Sequence, residues 1–145
     1  MSTAIAITSG KGGTGKTSLT GGVGSCLAAL GNRVLCIDMD VGLRNLDLSL
    51  GMSDRALMDF TDVLSGRTTL EKAAVPHPVI QGLYLLTAPL TAPRDAISEE
   101  ALRRFLAEAK EQFDYILMDA PAGLGLGFRL SVCGADRAIV CLLYT

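Results

Sequence analysis

Residues Gly10 to Thr17 read Gly-x-x-x-x-Gly-Lys-Thr, and no other stretch restricts the fold as tightly. An apolar β-type run, Ala4-Ile5-Ala6-Ile7, precedes it. A helix-type run carrying Leu19, Val23, Cys26, Leu27 and Leu30 follows. Strand, glycine loop, helix is the setting in which this spacing becomes a phosphate-binding loop. Glycines let the backbone curl until successive N–H groups face one anion. The helix then adds the partial positive charge of its N-terminus. Gly10, Lys11, Gly12, Gly13, Thr14, Gly15, Lys16, Thr17 and Ser18 are therefore candidates for holding phosphates. Lys16 can reach the outer phosphates, and the Thr17 hydroxyl can ligate Mg²⁺. Lys11 is a second lysine that a phosphate cradle does not need.

The rest of the chain alternates strand and helix patterns. The first helix is expected over about Lys16 to Leu30, with Gly21, Gly22 and Gly24 allowing close approach to a sheet and Gly31-Asn32 ending it. Arg33 to Asp38 reads as a strand buried on both faces, which suggests parallel pairing. Asp38-Met39-Asp40 falls at its carboxyl end, where open α/β sheets bind ligands. These two carboxylates are candidates for metal coordination or for orienting a water. Val41 to Leu48 reads as a loop. Two short helices follow: Leu57, Phe60 and Leu64 share a face with Asp54 as a cap, and Thr68 to Glu71 has capping-box spacing. His77, the single histidine, sits between two prolines with no catalytic role indicated. Leu83 to Leu86 is a third strand, and Ser98 caps a helix with Leu102, Phe105, Leu106, Ala109 and Phe113 on one face. Tyr115 to Asp119 then ends in an aspartate, as a second phosphate-site strand does when its carboxylate supports Mg²⁺. The glycine-rich turn after it, including Gly123, can present an N–H to a terminal phosphate. A fourth helix near Phe128 to Cys133 and a strand from Ala138 to Tyr144 close the chain. The expected fold is a doubly wound, mostly parallel α/β sheet.

Composition narrows the function classes. A net charge of −2 gives no electrostatic case for nucleic acid as main partner. No apolar run approaches the ~20 residues a bilayer span needs, and the N-terminus lacks a secretory pattern. Cys26, Cys36, Cys133 and Cys141 form no C-x-x-C and read as buried thiols of a reducing compartment. The 145 residues suggest one domain. A mean hydropathy of +0.38, and a core-type strand that stops at Thr145, lead to the expectation that residues 1–145 are the N-terminal part of a longer single domain.

Lys11-Gly12-Gly13-Thr14-Gly15-Lys16-Thr17 resembles the deviant Walker A loop of the MinD/ParA family of P-loop ATPases. Asp38-Met39-Asp40 followed by Gly42-Leu43-Arg44-Asn45-Leu46-Asp47 resembles the branch that determines the division-septum site, whereas ParA-type partition proteins tend to carry aspartate-proline-glutamine here. Asp119-Ala120-Pro121-Ala122-Gly123 is similar to the family's D-x-P-A-G segment. The resemblance implies an ATPase that uses ATP and Mg²⁺ and forms a face-to-face homodimer on ATP. It implies a cytoplasmic protein held peripherally at the inner membrane by a C-terminal amphipathic helix that would lie after Thr145. Its implied partners are MinC and a MinE-type regulator, and its outcome is septum placement at mid-cell.

On that resemblance the catalytic set is Lys11, Lys16 and Asp40. Lys11 reaches the partner subunit's nucleotide, and Asp40 orients the attacking water. Gly123 senses the γ-phosphate. Thr17, Asp38 and Asp119 surround the metal. The adenine-binding segment would also lie beyond Thr145, so this chain alone is expected to bind nucleotide poorly. Two alternatives stay open on the sequence: a ParA-like partition or flagellar-positioning ATPase, and a non-catalytic nucleotide switch. An iron–sulfur relative would need bridging cysteines, and none of the four is placed for that.

Overall fold

Val34 to Asp38 is buried at every position, which a strand achieves only when both faces of its sheet are covered. The computed structural model describes residues 1–10, 12, 15–41, 43–53, 55, 58–91, 97–122 and 126–142. Its elements in chain order are β1 (Thr3–Thr8), α1 (Lys16–Ala29), β2 (Val34–Asp38), α2 (Asn45–Ser49), α3 (Phe60–Leu64) and α4 (Leu70–Ala73). Then come β3 (Val75–Pro76), β4 (Leu83–Leu86), α5 (Glu99–Gln112), β5 (Tyr115–Asp119), α6 (Leu126–Cys133) and β6 (Arg137–Val140). The sheet order is β3-β4-β2-β5-β1-β6. Every pairing is parallel except the short β3–β4 one. The doubly wound, mostly parallel sheet expected from the sequence is the fold observed.

Alternation along the strands divides the core into two layers. Leu35, Ile37, Ile116 and Met118 face one way and pack with Phe60, Leu70, Leu102, Phe105 and Leu106 from α3, α4 and α5. Val34, Cys36, Leu117 and Ile7 face the other way, toward Ala28, Leu46 and Leu50 around α1 and α2. Gly24 is what lets α1 lie so close. A Cβ there would stand 2.7 Å from Cys36 Sγ and 3.2 Å from Leu83 Cδ1. Gly22, by contrast, has open space above it. Gly31, at φ +95°, ends the helix by donating to the Ala28 carbonyl, as its position predicts.

Three expectations need correction. Val41 to Leu48 is not all loop, because Asn45–Ser49 is helical with Leu46 buried against α1. The cap of α3 is Asp59, which accepts from Thr61 and Asp62 amides in a reciprocal capping box. Asp54, the expected cap, and Leu57, expected on the apolar face, lie outside the described residues. In α4 the cap is Thr69 rather than Thr68. Over the described residues β6 pairs with β1, and Val140 and Leu142 are exposed. His77 has a local task. Its Nδ1 accepts from the Val79 and Ile80 amides, which leaves Nε2 to donate to the Leu50 carbonyl at 3.0 Å.

Candidate functional site

Parallel pairing places the carboxyl ends of β1, β2 and β5 along one rim of the sheet. In register, Asp119 sits beside Ile7 on one side and Asp38 on the other. The loop after β1 turns into α1 at Gly15, whose φ of +79° is a left-handed conformation that glycine adopts without steric cost. No side chain caps this helix. Its first residues, Lys16, Thr17 and Ser18, therefore stand at the positive end of the α1 dipole.

Asp119 holds the first two of them. Lys16 Nζ donates to Asp119 Oδ1 at 2.6 Å, and Thr17 Oγ1 donates to Asp119 Oδ2 at 2.8 Å. Lys16 and Asp119 are both buried, so the charge-assisted bond is shielded from water. Thr20 Oγ1 donates back to the Lys16 carbonyl at 2.9 Å, steadying the first turn.

A cavity of about 370 Å³ opens over these groups. Ser9, Gly12, Gly15, Lys16, Thr17 and Ser18 line it from the loop and helix, Asp40, Leu43 and Asn45 from the segment after β2, and Ala122 from the segment after β5. A larger groove of about 690 Å³ lies at the opposite end of the strands, beside Arg33 and Tyr84. Its lining holds no helix N-terminus and no carboxylate, whereas the smaller cavity is lined by the first residues of α1 and by Asp40.

The two aspartates of Asp38-Met39-Asp40 separate in role. Asp38 is buried, and both its oxygens accept backbone amides: Asp40 N at 2.9 Å and Leu46 N at 3.3 Å. Burial pushes its carboxyl up to about 6, against the lowering effect of those two amides, with Asp119 nearby adding to the rise. Asp40 is half-buried and faces the cavity. Desolvation raises its carboxyl above the ordinary range, partly countered by the positive charge of Lys16. Asp38 thus organises the loop from inside while Asp40 faces the space where a substrate would sit.

The donor set fits Mg²⁺. Thr17 Oγ1 and Asp119 Oδ2 are hard oxygen donors 2.8 Å apart at a helix N-terminus. Among the described residues no cluster of three or more His, Cys, Asp or Glu could hold a metal by itself. Lys11, Gly13, Thr14 and Gly123, also named from the sequence, lie outside the described residues. Gly10, Gly12, Gly15, Lys16, Thr17 and Ser18 follow one another at the end of β1 and the start of α1. The sequence reading missed Leu43, Asn45 and Ala122 as cavity lining. It also missed the hydrogen bond from Arg44, which stands between Leu43 and Asn45, to Thr87. A left-handed arginine leaves no composition signal.

Sheet order, glycine loop and rim aspartates together define a P-loop nucleotide-binding domain. The chain belongs to the AAA domain family (AAA_31), of the MinD/ParA type, which matches residues 2–144. It is 43% identical over 141 residues to the septum site-determining protein MinD of Bacillus subtilis, covering 97% of this chain and 53% of that protein. The MinC:MinD cell division protein complex of Aquifex aeolicus superposes with a TM-score of 0.86 at 45% identity, covering 96% of this chain and 55% of that one. The septum site-determining protein MinD of Pyrococcus horikoshii, complexed with Mg-ADP, gives 0.83 at 33% identity, covering 97% and 58%. The chain spans about half the length of the relatives it matches.

Proposed function

We propose that this chain carries the phosphate-binding half of a MinD-like ATPase that regulates cell division. On this reading residues 1–145 are the N-terminal part of a single P-loop ATPase domain. The reading rests chiefly on the bonding of Asp119 to both Lys16 and Thr17, which gathers the cation, hydroxyl and carboxylate of a phosphate–Mg²⁺ site. The Mg-ADP of the Pyrococcus relative supports an adenine nucleotide with Mg²⁺, here ATP, as the ligand, and the MinC:MinD complex of Aquifex supports MinC as a partner.

Lys16 and the backbone amides at the start of α1 hold the phosphates. Thr17 ligates the metal, Asp119 supports it, and Asp38 fixes the loop that bears Asp40. Mg²⁺ held there would neutralise charge on the phosphate oxygens. Asp40, facing the cavity beside Lys16, orients the attacking water. Such sites act mainly by positioning and electrostatics. Gly123 senses the terminal phosphate. Lys11 reaches the partner subunit's nucleotide, which makes hydrolysis conditional on an ATP-bound homodimer. MinC and a MinE-type regulator complete the assignment, with a cytoplasmic, peripheral membrane location in the full-length protein. Among the described residues no helix is long and apolar enough to cross a membrane.

The test is Asp40→Ala in the full-length protein. ATP binding is expected to persist while turnover falls about 10²-fold or more. Unchanged turnover would remove Asp40 from the mechanism.

A further inference from the structure

Arg44 is the single residue other than glycine with positive φ among the described residues, at φ 49° and ψ 53°. That conformation is uncommon for a residue with a long side chain and persists where surrounding contacts hold it. The contacts are visible. Arg44 Nε donates to Thr87 Oγ1 at 3.1 Å, and its terminal nitrogen lies 3.7 Å from Asp47 Oδ2. Thr87 is buried just past β4, and its carbonyl accepts from Phe60 N at 3.0 Å at the start of α3. Arg44 therefore ties the segment after β2 to an anchor fixed by two other elements. It also sits at the N-terminal boundary of α2, between Leu43 and Asn45, both of which line the phosphate cavity. Its own amide closes on the Asp40 carbonyl at 3.4 Å. From the inner side, the Asp38 carboxylate takes the Asp40 and Leu46 amides.

We infer that Arg44 is a positioning residue whose guanidinium, braced on Thr87 and Asp47, holds Asp40 and Asn45 at the rim of the phosphate cavity. The inference deepens the proposed ATPase function and, in its kinetic part, rests on it. Asp38 and Arg44 then act as two clamps on one segment. The inner clamp is a buried carboxylate on backbone amides, and the outer clamp is a side-chain bridge to the neighbouring strand's end. Arg44 touches no reacting group on this reading. Its loss lets Asp40 move rather than removing a catalytic charge.

The experiment compares Arg44→Ala, Arg44→Gly, Arg44→Lys and Thr87→Val in the full-length protein. It reads amide hydrogen exchange at Asp40 and Leu46 together with kcat and KM for ATP. With Arg44→Ala, exchange at those two amides is expected to rise about tenfold against the Val34 and Cys36 strand amides. The same variant is expected to lower kcat about tenfold with KM within about twofold. Arg44→Gly separates backbone from side chain, because glycine accepts the left-handed turn freely. It is expected to match Arg44→Ala, and wild-type behaviour would overturn the role of the guanidinium. Arg44→Lys keeps the charge beside Asp47 and is expected to recover part of the loss. Thr87→Val removes the acceptor at nearly constant volume. It is expected to reproduce the Arg44→Ala defect and to add little when the two are combined. Unchanged exchange in Arg44→Ala, or additive effects in the double variant, would overturn the inference. Absence of hydrolysis by the wild type would instead sink the ATPase reading, and the exchange data would still decide Arg44.

Discussion

Helices α1 and α5 are each 14 residues long and cover opposite faces of one sheet, yet they are built on different rules. Helix α5 satisfies its own ends. Ser98 Oγ accepts from Ala101 N at 3.1 Å, Glu99 and Glu100 occupy the first turn, and Lys110 in the last turn pairs with Asp136 at 2.7 Å. Leu102, Phe105, Leu106 and Ala109 form a continuous apolar stripe. Helix α1 has no side-chain cap and no acid in its first turn, and its buried face is Lys16, Thr20, Gly21, Gly24 and Ala28. It packs by closeness rather than by bulk. The positive end of its dipole is met by the Asp119 carboxylate through Lys16 and Thr17. One helix stabilises the fold with its own residues, and the other presents its N-terminus to the cavity.

That contrast can be broken at either helix. The largest effect is expected at the start of α1. Lys16→Ala in the full-length protein removes the cation of the site, and ATPase turnover is expected to fall about 10²–10³-fold, as when one preorganised donor is lost. Steady-state hydrolysis measures it, and a loss under threefold would mean that the helix terminus alone holds the phosphates. Next is the closeness of α1 to the sheet. Gly24→Val forces a side chain against Cys36 Sγ and Leu83 Cδ1, and is expected to cost about 1–3 kcal/mol in urea unfolding. At the other helix, Ser98→Ala is expected to cost about 1 kcal/mol of stability and leave nucleotide affinity unchanged. An affinity change there would show that the two faces are not independent.

The smallest effect concerns Asp136, beyond the far end of α5. The Ala4 amide, then the Lys110 ammonium, hold its carboxyl below the ordinary range. A folded pKa below the unfolded one gives stability that is complete above the ordinary aspartate value. That stability is lost as pH falls through the folded value. Thermal melts between pH 5 and pH 2.5 are expected to show a shallower acid loss for Asp136→Asn than for wild type. The difference is small because the side chain is half exposed and screened.

The difference between the helices also explains what was legible. The Ser98 cap and the spacing from Leu102 to Phe113 are local patterns, and the structure follows them. The turn from β1 into α1 was legible for the same reason, since the Gly-x-x-x-x-Gly-Lys-Thr spacing places its residues at fixed chain offsets. Helix α2 was not, because Asn45–Ser49 is too short to show a period and is held by tertiary contacts of Leu46. The different tasks of Asp38 and Asp40 were also hidden, since two residues of one type, two apart, differ here only in which amides they meet.

By itself the sequence determined the alternation of strand and helix and the chain positions of its candidate groups. The loop from Gly10 to Ser18 and the carboxylates at Asp38, Asp40 and Asp119 are proposed from short-range spacing. Tertiary structure decided which of these meet. Strand β5 inserts between β1 and β2, so a carboxylate 103 residues along the chain reaches Lys16. The left-handed turn at Arg44 stands in the company of a threonine 43 residues away. Strand order and side-chain bridges of that span depend on how the whole sheet closes, and no local run of residues encodes that.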